Sequence, residues 1–219
     1  MANITSNSLI AQSTSKDFCC RRAAKNGVGS LARCPPSCHL RRRRLERHRN
    51  DGRRPGHAAA PLLEHEEDRP RLLKIHNASN ILVEKLLFKQ PPYWTTLFAN
   101  VDNLVIRHCG ITARRTSGMR HSLIDLTAFN TDGFDVTGRN IWIHDSTVWN
   151  QDDTFCIKAN KETTSNVLVE NCQASGVGLS IGSISADTVR NVTFRNVEMH
   201  HTSKGVYVKF NARAAGGGV

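Results

Sequence analysis

Short apolar runs recur along the chain, and an asparagine introduces each of them. Within a run, apolar and other residues alternate, so that every second side chain faces the same side of an extended strand. The runs begin at Asn80, Asn103, Asn140, Asn166 and Asn191, which lie 23, 37, 26 and 25 residues apart. A strand-like unit that recurs every ~20 to 50 residues is typical of a solenoid, whose units bury their apolar faces against one another.

Each unit contains two further short runs, such as 133–136 (Gly-Phe-Asp-Val), which precedes the run that begins at Asn140. No window beyond the first seventy residues shows helical periodicity. Three short strands per turn of about 25 residues predict an all-β fold, a right-handed parallel β-helix. Ile141 and Ile143 are expected to face the core. The asparagines are expected to lie in turns, because asparagine tolerates left-handed backbone and bonds to local amides.

Composition divides the chain near residue 70. Residues 1–70 contain 14 Lys or Arg against 7 Asp or Glu, and the remainder contains 16 against 12, so most of the net charge of +11 belongs to the first part. That part lacks the aromatic and β-branched residues that a core requires, which predicts disorder. We therefore expect a disordered or unrelated basic segment over 1–69, a partial β-helix over 70–213 and a glycine-rich end over 214–219.

The basic segment offers little support for a binding function. Its arginine run at 41–44 is compatible with a nucleic-acid arm, but we expect no nucleic-acid partner. The spacing of Cys34, Cys38 and His39 matches no standard zinc site, so no metal is expected. Seven cysteines also argue against a complete disulfide framework. No secretory signal is visible at residues 1–15, and no apolar run is long enough to span a membrane.

Three carboxylates stand beside short strand-like runs. Asp152 and Asp153 are adjacent, so they must lie at a strand end or bulge if both are to avoid the core. Asp132 is expected about one turn of the solenoid away, in the same groove. An inverting glycosidase holds its acid and base ~6.5–9.5 Å apart, and crowding of like charges raises one carboxyl pKa. Two alternatives stay open, an Asx turn at Asp132 and a calcium site at Asp152 and Asp153.

Four motifs follow one another in a fixed order: 130–135 (Asn-Thr-Asp-Gly-Phe-Asp), 150–153 (Asn-Gln-Asp-Asp), 176–183 (Gly-Val-Gly-Leu-Ser-Ile-Gly-Ser) and Lys209. Together they resemble the ordered signature of glycoside hydrolase family 28, the polygalacturonases. The resemblance covers roughly residues 69–210. It implies a secreted β-helix that hydrolyses pectic polysaccharide with inversion and without a metal or other cofactor. No membrane association is expected, and the enzyme is expected to act as a monomer.

The resemblance also implies roles for individual residues. Asp152 corresponds to the general acid, Asp132 and Asp153 to the carboxylates that activate water, and Lys209 to a lysine that holds a galacturonate carboxylate. The remaining substrate-binding positions are Val177, Gly178 and Tyr207. A disulfide is implied near Cys156 and Cys172.

Two positions depart from the family pattern. Polygalacturonases have histidine where this chain has Val177, and arginine where it has Tyr207. Valine donates no hydrogen bond, and tyrosine cannot form the bidentate carboxylate contact of a guanidinium group. A rhamnogalacturonan hydrolase is therefore the close alternative to a polygalacturonase. An inactive fragment and a non-catalytic pectin-binding β-helix also stay open, whereas no calcium and arginine arrangement for a lyase is evident.

Overall fold

The computed structural model describes residues 71–113, 130–159, 163–185 and 188–211, together with the backbone of five short strands nearer the N-terminus. Strands are the regular secondary structure of these described residues. They are β1 (Asn3–Thr5), β2 (Leu9–Thr14), β3 (Asp17–Arg22), β4 (Cys38–Arg41), β5 (Arg44–Glu46), β6 (Leu73–Glu84), β7 (Leu87–Lys89), β8 (Thr96–Arg107), β9 (Gly110–Thr112), β10 (Phe134–His144), β11 (Thr147–Trp149), β12 (Asp153–Ile157), β13 (Thr164–Ser175), β14 (Gly178–Ile184), β15 (Val189–Met199) and β16 (Val206–Phe210).

From β6 onward the strands wind into a parallel solenoid of about five turns, each of which we call a coil. The first face contains the start of β10 and, in register beside it, β12, β14 and β16. The second face contains the later parts of β6, β8 and β10 with the middle of β13 and of β15. The third face contains β7, β9, β11 and the end of β13. The predicted parallel β-solenoid is therefore confirmed.

Asparagines bend the chain where one face meets the next. Asn103, Asn140 and Asn166 have φ values of 56°, 57° and 57°, in the left-handed region that asparagine tolerates better than most residues. Their amides also bond between coils: Asn103 Nδ2 donates to Asn80 Oδ1 at 3.0 Å, and Asn166 Nδ2 donates to Asn140 Oδ1 at 3.1 Å. The repeated asparagines have the left-handed backbone that the sequence predicted, but they bend the long strands β6, β8, β10, β13 and β15 from within rather than occupying separate turns.

Inward-facing side chains fill the solenoid and position the first face. Phe88, Phe98, Phe134 and Phe155 are fully buried, and the Phe134 and Phe155 rings lie stacked with centroids 5.9 Å apart. Ile141 and Ile143 belong to the same core cluster, as the alternation predicted. Because Phe134 and Phe155 point inward, the residue after each of them points outward.

The N-terminal segment stays largely a matter of prediction. Strands β2 and β3 form an antiparallel pair, while β4 and β5 pair in parallel with β6 and β7. The rest of 1–69 lies outside the described residues, as does 212–219, so the predicted disorder and the predicted domain boundaries are not tested. None of the described residues belongs to a helix long and apolar enough to cross a membrane.

Candidate active site

The candidate site lies on the outside of the first face. Asp135, Cys156, Ser180 and Tyr207 occupy equivalent positions on β10, β12, β14 and β16 and follow one another across the sheet. They point outward because their neighbours Phe134, Phe155 and Leu179 are in the core. Asp135, Cys156 and Ser180 are nevertheless fully buried. We call this row of outward-facing side chains, together with the predicted catalytic carboxylates beside it, the cleft.

Two of the three predicted carboxylates lie close together. Asp132 comes just before β10, and Asp153 begins β12, where the register shifts before Phe155. A carboxylate oxygen of each lies within 4.8 Å of the other, and both lie within that distance of Cys156 Sγ. The strand-end irregularity expected for the adjacent aspartates is therefore present, and Asp132 comes from the neighbouring coil as the spacing predicted.

The third carboxylate, Asp152, is held by backbone amides. Its Oδ2 accepts a hydrogen bond from the Asn130 amide at 2.7 Å, and its Oδ1 accepts one from the Asp153 amide at 2.8 Å. Asp152 is half-buried, whereas Asp132 and Asp153 are almost completely buried. These bonds fix the orientation of the Asp152 carboxyl group, because each of its oxygens has a rigid donor. Catalytic roles for the three acids stay predictions at this point.

Asn150 and Gly176 position the backbone that carries the acids. Asn150 Nδ2 donates to the carbonyl oxygens of Thr131, at 2.9 Å, and Asp153, at 2.7 Å, and so ties two coils together. A Cβ on Gly176 would lie 2.1 Å from Asn150 Oδ1 and 2.6 Å from the Asp152 carbonyl oxygen. Only glycine allows this approach, so the glycine-rich run 176–183 serves the site by letting its neighbours come close.

Two lysines contact aspartates of the cleft. Lys209 Nζ donates to Asp153 Oδ2 at 2.6 Å. Lys158 Nζ lies 2.9 Å from Asp135 Oδ1, 3.5 Å from Asp132 Oδ2 and 3.9 Å from the centroid of the Trp94 ring. Sequence reasoning identified Lys209 but missed Lys158 and Asp135. The alternation of side chains along a strand could have located Lys158, because it follows the outward-facing Cys156 by two residues and so faces the same side.

Burial dominates the electrostatics of the acids. It raises the pKa of Asp132 well above its usual range, the charges of Asp135 and Asp152 add to that rise, and the charge of Lys158 opposes it. Burial also raises the pKa of Asp135 to about 6, again with Lys158 opposing. A carboxyl pKa is therefore raised, but the group is Asp132, which the resemblance implies activates water, and not the expected general acid. The first cause of the rise is desolvation, and crowding of like charges comes second.

The predicted substrate-binding positions lie beside the acids on the last coils. The Val177 amide donates to the Asp152 carbonyl oxygen at 2.8 Å. Gly178 has a φ of 153° and accepts a hydrogen bond from Thr154 Oγ1 at 2.9 Å. The ring of Tyr207 lies 5.5 Å from Lys209 Nζ. Val177 and Tyr207 are thus close to Asp152 and Lys209, respectively, and their substrate-binding roles stay predictions.

The cleft also contains three groups able to ligate a metal. They are the carboxylates of Asp132 and Asp153 and the thiol of Cys156. Lys158 and Lys209 already contact the two carboxylates, and a hard cation such as Ca²⁺ prefers oxygen ligands to a thiol. This arrangement fits proton-transfer chemistry better than metal binding.

The structure also bears on the disulfide that the resemblance left open near Cys156 and Cys172. Cys156 and Cys172 do not form a disulfide, and both thiols are free. Cys156 points outward into the cleft, with its Sγ 3.8 Å from Asp132 Oδ2, whereas Cys172 belongs to the inward-facing core. The two side chains thus lie on opposite sides of the solenoid wall. Burial raises the thiol pKa of Cys156 well above its usual range, which keeps the thiol protonated.

Comparison with solved structures supports the architecture. A hyperthermoactive exopolygalacturonase from Thermotoga maritima is 25% identical with a TM-score of 0.57, over 68% of this chain and 33% of that one. The endopolygalacturonase I of Stereum purpureum, solved in complex with two galacturonate molecules, is 27% identical with a TM-score of 0.54, over 67% of this chain and 42% of that one. Both likenesses cover only part of each larger protein.

Sequence comparison gives the family. An exopolygalacturonase from Cochliobolus carbonum is 33% identical over 64% of this chain and 31% of its own length. Rhamnogalacturonase A from Aspergillus niger is 29% identical over 66% of this chain and 29% of its own length. The chain thus spans about a third of the length of these curated relatives. The family model described as glycosyl hydrolases family 28 matches residues 54–219. On this match, together with the solenoid fold and its cleft of carboxylates, the chain belongs to glycosyl hydrolase family 28.

Proposed function

We propose that the cleft on the first face hydrolyses glycosidic bonds of pectic polysaccharide, with Asp132, Asp152 and Asp153 as its catalytic carboxylates. The observation that carries the proposal is that carboxylate oxygens of Asp132 and Asp153, on neighbouring coils, lie within 4.8 Å of each other. Glycosidic hydrolysis generally requires one carboxyl group to protonate the leaving oxygen and another to act on the opposite side of the sugar. Membership of a glycosidase family supports this reading of the acids.

Each acid is assigned its proposed role from its accessibility and from its oxygens that lack a hydrogen-bond partner among the described residues. Asp152 is the more accessible carboxyl group and is proposed as the general acid, since it must reach the leaving oxygen of a bulky polymer. Asp132 and Asp153 are proposed to share the nucleophilic water, because one oxygen of each is buried and has no hydrogen-bond partner among the described residues. Lys209 holds Asp153 and also provides a positive charge for a galacturonate carboxylate.

Replacement of each acid by its amide tests the proposal. Release of reducing ends from polygalacturonate and from rhamnogalacturonan is measured for the full chain and for Asp132→Asn, Asp152→Asn and Asp153→Asn. Each variant is expected to lose at least ~10²-fold in turnover, the scale of general acid–base catalysis. Asp102→Asn, at a position bonded to Arg139 and Asn140 away from the cleft, is the matched control. Wild-type turnover in Asp152→Asn, or no release from either polymer by the full chain, would reject the proposal.

The stereochemical course is a separate consequence. If two acids activate water while the third protonates the leaving group, attack takes place on the face opposite to the bond that breaks, and the product is inverted. Proton NMR of the first-formed sugar reports its anomeric configuration. Retention, or a trapped glycosyl ester on one aspartate, would show that an acid attacks the sugar directly.

Cleavage of rhamnogalacturonan is the second candidate function, and Val177 and Tyr207 favour it. Val177 is half-buried beside Asp152 and its side chain has no hydrogen-bonding group, and Tyr207 carries no positive charge. A subsite built in this way should accept a less charged sugar than galacturonate. We expect Val177→His with Tyr207→Arg to raise kcat/KM on polygalacturonate relative to rhamnogalacturonan. An unchanged ratio would show that these two positions do not determine the choice of polymer.

We further propose that the protein acts as a secreted monomer in cell-wall degradation, because pectic polymers lie outside the cell. Immunodetection in the medium and in the lysate of producing cells tests secretion, and light scattering coupled to gel filtration tests the oligomeric state. A protein confined to the lysate, or a stable dimer, would contradict the respective statement.

A further inference from the structure

The ammonium group of Lys158 is shared unequally between two buried carboxylates. Lys158 follows β12 directly, and its side chain is only 16% exposed. Its Nζ lies 2.9 Å from Asp135 Oδ1 and 3.5 Å from Asp132 Oδ2. The Trp94 ring, 3.9 Å away, restricts the ammonium group further. Lys158 is thus held in place by aromatic and acidic neighbours, with the closer carboxylate belonging to a residue that has no proposed catalytic role.

The other charged and titratable groups around Asp132 do not replace Lys158. Asp135 on β10 and the pair Asp152 and Asp153 at the start of β12 are acidic, and Cys156 of β12 is a buried thiol. Lys209 of β16 contacts Asp153. The guanidinium group of Arg71, which precedes β6, lies 4.5 Å from the centroid of the Trp94 ring. Among the described residues, Lys158 is therefore the cation in contact with Asp132.

We propose that Lys158 is a positioning residue for Asp132, and that Asp135 controls how closely its ammonium group approaches that acid. The inference rests on the proposed function, in which Asp132 must be ionised to accept a proton from the attacking water. Burial removes the ionised Asp132 carboxylate from water, which costs free energy, and a nearby ammonium group offsets that cost. Asp135 competes for the same ammonium group because its oxygen is 0.6 Å closer (2.9 Å against 3.5 Å).

The proposal predicts shifts of opposite sign in two variants. In Lys158→Met, Asp132 loses its cation, and the acid limb of the kcat/KM profile should move to higher pH by about 1 to 3 pH units, the range of a close opposite charge. In Asp135→Asn, the lysine is free to approach Asp132, and the limb should move to lower pH. Damage to the fold alone would lower kcat/KM at every pH. It would not move the acid limb in opposite directions in the two variants.

Two matched variants serve as controls, one that removes a lysine elsewhere and one that changes the Lys158 side chain but keeps its charge. Lys85→Met replaces an exposed lysine at a corner of the solenoid remote from the cleft and should leave the profile unchanged. Lys158→Arg retains the positive charge and should leave the acid limb closer to that of wild type than Lys158→Met does. If Lys158→Met does not fold, Asp135→Asn tests the same relation with the lysine in place.

A titration that does not depend on turnover separates this inference from the proposed function. The carboxyl carbon of Asp132 is followed by 13C NMR against pH in the full chain, with Asp132→Asn used for assignment. Its midpoint should rise in Lys158→Met and fall in Asp135→Asn, even if the chain hydrolyses no polymer. Unchanged midpoints in both variants would overturn the inference. A raised KM for acidic polymers with an unchanged pH profile would also overturn it, because Lys158 would then bind substrate.

Discussion

Asp135 should make the folded chain less stable as the pH rises towards neutrality. Its carboxyl group is fully buried, and its pKa is raised from an ordinary 3.8 to about 6, first by burial. Because the folded-state pKa lies above the unfolded one, the folded chain binds more protons between these values, and stability falls as pH rises through them. This contribution is complete below pH ~4 and lost above pH ~6. Asp135→Asn removes the titrating group while nearly preserving its volume.

The size of the effect follows from the two pKa values. A difference of about 2 pH units corresponds to about 3 kcal/mol, at about 1.4 kcal/mol for each unit. The pKa of about 6 already includes the opposing influence of Lys158, so the ion pair needs no separate correction. We therefore expect the unfolding free energy of wild type, relative to Asp135→Asn, to fall by at least about 3 kcal/mol between pH 3.5 and pH 7, because the lower Asp132 pKa in the variant adds to the difference.

Urea unfolding at several pH values measures this difference. Urea is preferred to guanidinium chloride because it leaves the ionic strength, and hence charge screening, unchanged. Circular dichroism reports the loss of strand structure, and equal slopes for the two proteins justify the comparison of their midpoints. Asp102→Asn should leave the pH dependence close to that of wild type. A difference between wild type and Asp135→Asn that stays constant with pH would refute the reasoning.

Two other predictions concern residues that hold the acids. Gly176→Ala should lower stability by ~1–3 kcal/mol or more, because its Cβ would lie 2.1 Å from Asn150 Oδ1, whereas a Cβ on Gly205 meets no atom within 4 Å. Equal urea midpoints for Gly176→Ala and Gly205→Ala would contradict this packing argument. Lys209→Met should lower kcat as well as raise KM on an acidic polymer, since Lys209 Nζ also bonds Asp153 at 2.6 Å. Steady-state kinetics with an unchanged kcat would mean that this bond does not serve catalysis.

Local pattern was sufficient to predict the solenoid. Alternation decides which side chains of a strand point inward, and Ile141 and Ile143 accordingly lie in the core. The repeated asparagines mark the corners because left-handed backbone is a local preference, which Asn103 and Asn140 show. The same repeat placed Asp132 on the coil next to Asp153, since parallel coils align equivalent positions.

Contacts between side chains of different coils required the tertiary structure. The pairing of Lys158 with Asp132 and Asp135 depends on how far each side chain reaches across the sheet and on the position of Trp94, which comes from an earlier coil. Spacing along the chain contains no information on such lateral distances. It equally could not show that Cys156 faces the cleft while Cys172 faces the core.

The sequence by itself determined the parallel solenoid and the family resemblance, and it singled out Asp132, Asp152 and Asp153 as candidate acids, because these depend on residue type and on a period of one coil. The tertiary structure alone decided which acids are buried and which cation lies beside each of them. Burial raises the pKa of Asp132 and Asp135 because low-dielectric surroundings disfavour charge, and Lys158 opposes that rise only because folding brings its ammonium group within 3.5 Å of Asp132. Protonation in this cleft is therefore a property of the assembled coils rather than of any segment of the chain.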